Sequence, residues 1–186
     1  MTVVELRQYT LHPGARDALV ELFDCEFVTG QEAAGIDVIG QFRDLDDPDR
    51  FVWLRGFPDL AARRRSLEAF YGGPVWKQHR DAANATMIDS DDVLLLRPAW
   101  PSSGFGAARP RRSNGLVVAS ILEAGEVEPP VPESAEAVYV TDPSPNDFPA
   151  LPVREGENVV VVFSPVVVDG AAQVLRLEPT PGSRLQ

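Results

Sequence analysis

The sequence predicts an α+β protein: a ferredoxin-like βαββαβ unit followed by a degenerate, helix-poor second copy, the two forming an α/β-barrel-like arrangement. Three observations predict it. The first part of the chain reads strand, helix, strand, strand, helix, strand; its second helical stretch is broken at Gly72-Gly73-Pro74; and four apolar runs with strand spacing follow after residue 115.

Residues Val3 to Leu11 alternate, so Val4 and Leu6 share one face while Glu5, Arg7 and Tyr9 share the other. His12-Pro13-Gly14 ends this strand. Ala15, Ala18, Leu19, Leu22 and Phe23 then recur at helical spacing, with Arg16, Asp17, Glu21 and Asp24 opposite, which predicts an amphipathic helix lying on a sheet. Ile36 to Arg43 and Arg50 to Phe57 read as a hairpin across the acidic turn Asp44 to Asp49. Asp59 is placed to cap a helix that buries Leu60, Leu67, Phe70 and Tyr71; Gly72-Gly73 stops it, and Pro74 starts another helix that runs to about Ala85. Arg63-Arg64-Arg65 is expected to stay solvated on a helix surface. Met87 to Asp92 reads as an acidic turn before the short, buried strand Val93 to Leu96.

Pro98 to Asn114, with its prolines, glycines and the basic residues Arg109, Arg111 and Arg112, has no periodicity and reads as a linker. The runs Leu116 to Leu122, Ala137 to Thr141, Val159 to Phe163 and Val174 to Leu177 repeat the strand spacing of the first half. Where helices would stand there are only Glu123 to Glu136, rich in proline, and Ser164 to Ala172. The expected division is therefore residues 1–98, a linker at 99–114, a second half at 115–178 and a tail at 179–186.

A net charge of -11 over 186 residues argues against nucleic acid and against anionic membranes, because both require cations that displace counterions. A lone cysteine, Cys25, and no apolar run after a basic N-terminal segment point to a cytoplasmic location. His12 and His79 are the only histidines, too few with Cys25 for a standard zinc site, and the acidic stretches lack the spacing of a calcium loop. No phosphate-binding, dinucleotide or serine-elbow motif is present, so no metal and no cofactor is expected.

A ferredoxin-like sheet covered by helices on one face needs a partner for the other, and two such sheets facing each other close into a barrel. With the apolar faces of the first and third strands packed on the helices, Glu5, Arg7 and Tyr9 are expected to share the barrel interior with Trp53, Arg55 and Phe57. Two readings stay open: a Glu5–arginine pair that only fixes register, or an arginine that recognises a carboxylate or enolate while Tyr9 donates a proton. His79 shares a helix face with Val75, Trp76, Ala82 and Ala83 and is expected to be buried, as a core histidine, a general base or an axial haem ligand. Asn84 either orients a ligand or caps its helix. Tyr71, beside the glycine pair, either reaches the barrel mouth or anchors the helix break.

The stretch Glu5-Leu6-Arg7-Gln8-Tyr9-Thr10-Leu11 with Pro13-Gly14, then Phe42-Arg43, Trp53-Leu54-Arg55-Gly56-Phe57 leading into Asp59-Leu60-Ala61-Ala62-Arg63, and Pro74-Val75-Trp76, resembles the NIPSNAP family of dimeric α/β-barrel proteins over residues 2 to 98. Phe148-Pro149 and Leu151-Pro152-Val153-Arg154-Glu155-Gly156 look like a degenerate second copy. The resemblance implies the ferredoxin-like fold, barrel pairing and a bacterial, uncharacterised set of relatives. Similar α/β-barrel families contain cofactor-free monooxygenases, isomerases and cyclases. That analogy implies an enzyme acting on a polyketide- or aromatic-like metabolite held between the two sheets. Arg55 or Arg7 would stabilise an enolate, His79 would move a proton, Tyr9 and Trp53 would orient the ring, and Glu5, Phe57, Tyr71 and Asn84 would line the site. The alternatives are a non-catalytic protein that binds a small molecule or haem, and an interaction protein with a filled barrel. Many relatives pair two chains; because this chain carries both halves, a monomer with an internal pseudo-dimer stands beside a homodimer.

Overall fold

A computed structural model describes residues 1–105, 115–125 and 131–185; most of the expected linker, with Arg109, Arg111 and Arg112, lies outside the described residues. The elements are β1 (Val3–Leu11), α1 (Arg16–Leu22), a π-helical turn (Phe23–Phe27), α2 (Val28–Ala33), β2 (Asp37–Asp44), β3 (Arg50–Phe57), α3 (Leu60–Tyr71), α4 (Pro74–Asn84), β4 (Met87–Pro98), β5 (Val117–Glu123), β6 (Ala137–Thr141), β7 (Val159–Ser164) and β8 (Gln173–Pro179).

Eight antiparallel strands close into a barrel in the order β1-β3-β2-β8-β5-β7-β6-β4. The first half contributes β4-β1-β3-β2 and the second β8-β5-β7-β6, so each uses its own fourth, first, third and second strands in that sequence. The seams are β2 against β8 and β4 against β6. The second half thus repeats the topology of the first, with no helix among its described residues.

Local chemistry sets the helix ends. The Asp59 carboxylate accepts the Ala62 amide at 2.7 Å and caps α3, and Pro74 opens α4, where a missing N–H costs nothing. The first helical region runs past Asp24, the last residue of the amphipathic pattern, continuing through the π turn and α2 to Ala33, and it buries Leu19, Val20, Phe23, Phe27 and Gln31. Met87 to Asp92 is also different from expectation: it is the first half of β4 and pairs with β1 through Thr10↔Asp89 and Leu11↔Met87 across a register shift. Hydrogen bonding to a central strand overrides the turn preference of Asp and Ser.

The barrel interior is filled. Val4, Leu6, Phe42, Val52, Leu54, Leu94, Leu96, Ile121, Tyr139, Val161, Phe163, Leu175 and Leu177 form one buried cluster there, drawn from both halves. An eight-stranded barrel is just wide enough for side chains such as these to fill it. This reverses the expected facing of β1 and β3. Glu5, Arg7, Tyr9, Trp53, Arg55 and Phe57 do not face the barrel interior; they lie on the opposite face, beneath the helices, where Tyr9, Trp53 and Phe57 join Leu19, Phe23, Phe27, Leu67 and Phe70. No ligand need be accommodated between the two sheets. Residues 148–156, part of the degenerate second copy, lie in the connection between β6 and β7.

A side chain on Gly40 would place Cβ 2.8 Å from Phe42 Cζ and 3.2 Å from Leu185 Cβ. Gly40→Leu is therefore expected to lower stability by about 1–3 kcal/mol through overpacking, read as a shift of the urea midpoint.

Candidate functional site

The antiparallel register of β1 and β3 sets Glu5 opposite Arg55, Arg7 opposite Trp53 and Tyr9 opposite Phe51, all on the helix side. From above, α3 sends Arg63 down to the same point. The Glu5 carboxylate is 0% exposed: Oε2 accepts from Arg7 Nη1 at 2.6 Å and Arg55 Nε at 2.7 Å, and Oε1 accepts from Arg63 Nε at 2.6 Å. Burial by itself would raise the Glu5 carboxyl, but the guanidiniums of Arg55, Arg7 and Arg63 outweigh it and hold the group well below the usual carboxylate range. Burial pulls Arg7 down and Tyr9 and Glu5 pull it up, with a net rise that keeps it charged.

The arginines reach further groups. Arg7 donates from Nε to the Tyr9 phenol oxygen at 3.1 Å and from Nη2 to the Ser90 carbonyl at 3.3 Å. Arg55 donates from Nη1 to Gln31 Oε1 and to Tyr71 Oη, each at 3.4 Å, and its guanidinium lies 5.0 Å from the centre of the Trp53 ring. Arg63 donates from Nη1 to Asn146 Oδ1 at 3.1 Å and to the Asp147 carboxylate, both on the β6–β7 connection. Among the described residues three buried donors find no acceptor: Arg55 Nη2, Arg63 Nη2 and Trp53 Nε1.

Beside this cluster is a cavity of about 30 Å³, walled by Tyr9, Phe23, Phe27, Gln31, Trp53, Phe70, Tyr71, Trp76, Ala83 and Met87 among others. Tyr9, Trp53, Gln31 and Tyr71 are both wall residues and contacts of the arginines, so the guanidiniums of Arg7 and Arg55 stand directly behind an aromatic wall. Burial and the neighbouring Tyr71 raise the Tyr9 phenol, while Arg7 and Arg55 oppose the rise. With Arg7 donating to its oxygen, the Tyr9 proton is left to point elsewhere.

Of the residues expected to act together, the fold assembles Glu5, Arg7, Tyr9, Trp53, Arg55 and Tyr71 at this cluster. Phe57 joins only at its edge, its ring 5.7 Å from the Arg55 guanidinium. His79 and Asn84 are placed elsewhere. His79 is 21% exposed rather than buried, lies 3.7 Å from Glu26 and meets Phe27 edge-on; it does not line the cavity. Asn84 is exposed at the end of α4. The face of α4 turned inward carries Val75, Trp76 and Ala83, and the helical phase leaves His79 at its margin. Arg63 went unrecognised because it opens an arginine triplet that reads as solvated. A signal was present: Arg63, Leu67 and Phe70 share one face of α3, and all three are buried. Gln31, Phe23 and Phe27 depend on the π turn, and such turns recur at functional sites. Among the described residues no group of three His, Cys, Asp or Glu side chains could hold a metal ion, and no helix is long and apolar enough to cross a membrane.

The Glu5 cluster makes stability depend on acid pH. Its folded pKa lies below the unfolded value of about 4.3, so its stabilising contribution is complete above that pH and is lost as pH falls below it. Asp92, raised by partial burial, runs in the opposite sense, with Arg154 and Arg50 moderating it. Because Glu5 is buried against three cations and Asp92 against none as deeply, urea midpoints should fall steeply below about pH 4.

The NIPSNAP family model matches residues 4–103, more than half of the chain. The chain belongs to the NIPSNAP family. A NIPSNAP family protein of unknown function from Agrobacterium tumefaciens is similar over 53% of this chain and 88% of its own, at 20% identity and a TM-score of 0.49. A NIPSNAP-like domain protein from Burkholderia xenovorans is similar over 59% and 90%, at 23% identity and a TM-score of 0.48. A proposed monooxygenase from Lactobacillus acidophilus spans 100% of both chains at 12% identity and a TM-score of 0.57, a likeness of fold across both halves of the barrel. No curated protein matches the sequence. The NIPSNAP match takes in β1 from Val4, β2–β4, every helix among the described residues and Glu5, Arg7, Arg55 and Arg63, but leaves out Asn146 and Asp147.

Proposed function

We propose that this NIPSNAP protein binds a small planar organic anion, an aromatic or conjugated carboxylate or enolate, between its helices and the β4-β1-β3-β2 sheet. The observation that carries the reading is the excess of cations: three buried arginines share the buried Glu5 carboxylate with only Asp147 besides, and an η-nitrogen of Arg55, which bonds to Gln31 and Tyr71 of the aromatic cavity wall, lacks an acceptor. Uncompensated buried cations and unpaired buried donors are costly, and an anion relieves both. Aromatic walls suit a flat ring, and arginine suits a carboxylate held in two-point contact. The cavity as it stands has room for water only. Entry of a ring requires Tyr71 or Trp76, both partly buried at the helix break, to swing outward.

Tyr9 favours a second step. A protonated phenol in the wall, fixed through its oxygen by Arg7, is placed to donate a proton to a bound enolate, which makes the same site a cofactor-independent acid catalyst. Glu5 is a poor base while three guanidiniums engage it.

Thermal melting and native mass spectrometry with benzoate, phenylacetate and methyl benzoate test the binding reading. The two carboxylates are expected to stabilise the protein, by about 2.7 kcal/mol at a hundred times Kd, and the ester is expected not to. Equal shifts for ester and acid, or none for any, would overturn it. His79→Ala should leave carboxylate binding within about twofold and stability within about 1 kcal/mol, since its ring is outside the cavity and only partly buried.

A further inference from the structure

The connection between β6 and β7 belongs to the helix-less half, yet it reaches onto the site of the other half. Its two ends are fastened to β4: the Asp142 amide donates to the Leu95 carbonyl and the Arg154 amide to the Val93 carbonyl, each at 2.8 Å. Between them Phe148 stacks on Tyr71 at 6.4 Å and 26°, and Leu151 packs with the helix-side cluster. Asn146 holds the turn, donating from Nδ2 to the Leu151 carbonyl and accepting the Phe148 amide, while its Oδ1 also meets Arg63. Asp147 is thereby fixed against the Arg63 guanidinium, with its side chain 22% exposed.

The charges can be counted. Arg7, Arg55 and Arg63 supply three positive charges, Glu5 and Asp147 supply two negative ones, and one positive charge is left over. The cavity wall adds no ionised group. We propose that Asp147 sets the charge of the ligand: by occupying Arg63 it leaves a site that a monoanion neutralises and that repels a second negative charge. Asp147 is then a specificity residue supplied by the degenerate half. This rests on the anion-binding reading above and deepens it.

The full chain and its Asp147→Asn variant are titrated calorimetrically with benzoate and isophthalate, a flat monoanion and a flat dianion. Wild type is expected to prefer benzoate by about tenfold or more, and Asp147→Asn, left with two unmatched cations, to narrow or reverse that preference by a similar factor. Asn keeps the shape of the side chain at the partly exposed Asp147 position, and melting curves check that the variant stays folded. Asn146→Asp works in the opposite direction, adding a carboxylate at Arg63 while giving up the Nδ2 bond to the Leu151 carbonyl, and in a chain whose melting curve shows it folded it is expected to weaken benzoate binding with every arginine retained. A preference unchanged within twofold in both variants overturns the role of Asp147. Failure of wild type to bind either anion instead defeats the anion-binding reading itself, so the two failures are distinguishable.

Discussion

Glu5→Gln is expected to cost about 3–5 kcal/mol and to unfold a large fraction of the protein at ambient temperature, because it leaves buried guanidiniums without their shared counter-ion. The amide oxygen can still accept one or two of the three N–H bonds, but its N–H₂ end then faces a cation. Urea unfolding of Glu5→Gln and Glu5→Asp separates the causes. Asp keeps the charge and shortens the reach, so it should lose clearly less than Gln. Equal losses in the two variants would mean that shape rather than charge holds the cluster. The same comparison should show a flatter acid limb for Glu5→Gln than for wild type, because the group with the depressed pKa is gone.

The largest effect on binding is expected from Arg55→Met. Arg55 is 0% exposed, touches Gln31 and Tyr71 in the cavity wall, and carries one of the orphaned η-nitrogens. Methionine fills much of the same space without the charge, so Glu5 keeps Arg7 and Arg63 and the local excess of positive charge disappears. Benzoate affinity should fall at least about thirtyfold, the usual scale for losing one member of a buried charged contact, while stability changes far less than in Glu5→Gln. Arg55→Lys should recover only part of the binding, since an ammonium cannot offer a planar fork to a carboxylate. Affinity within threefold of wild type in Arg55→Met would place the anion elsewhere.

The two halves contribute differently to the molecule. The second half contributes half of the barrel wall and the residues that fill it, such as Tyr139, Val161 and Phe163, and in place of helices it extends one long connection over the first half. Its own outer face is closed by short side chains, with Ala99, Ala124, Ala135 and Ala171 against Leu122, Val138, Val160 and Val162.

Much of this was determined by the sequence itself. Alternation in Val3–Leu11 placed Glu5, Arg7 and Tyr9 together on one face, and the same period in Arg50–Phe57 placed Trp53, Arg55 and Phe57 together. The glycine pair and Pro74 marked the break between α3 and α4, and the four late apolar runs marked β5 to β8. Only the tertiary structure decided which layer each face meets. Period-two alternation says that residues share a side and is silent about what covers that side. When both faces of a strand are buried, hydrophobicity no longer distinguishes them. Here the narrow barrel takes the compact apolar face, since it offers few partners for a charge. The arginines go beneath the helices, where Gln31, Tyr71, Asn146 and Asp147 can meet them. Those partners lie 16 to 84 residues along the chain from the arginine they satisfy, as with Arg55 and Tyr71 at 16 and Arg63 and Asp147 at 84, and no local pattern records such pairings.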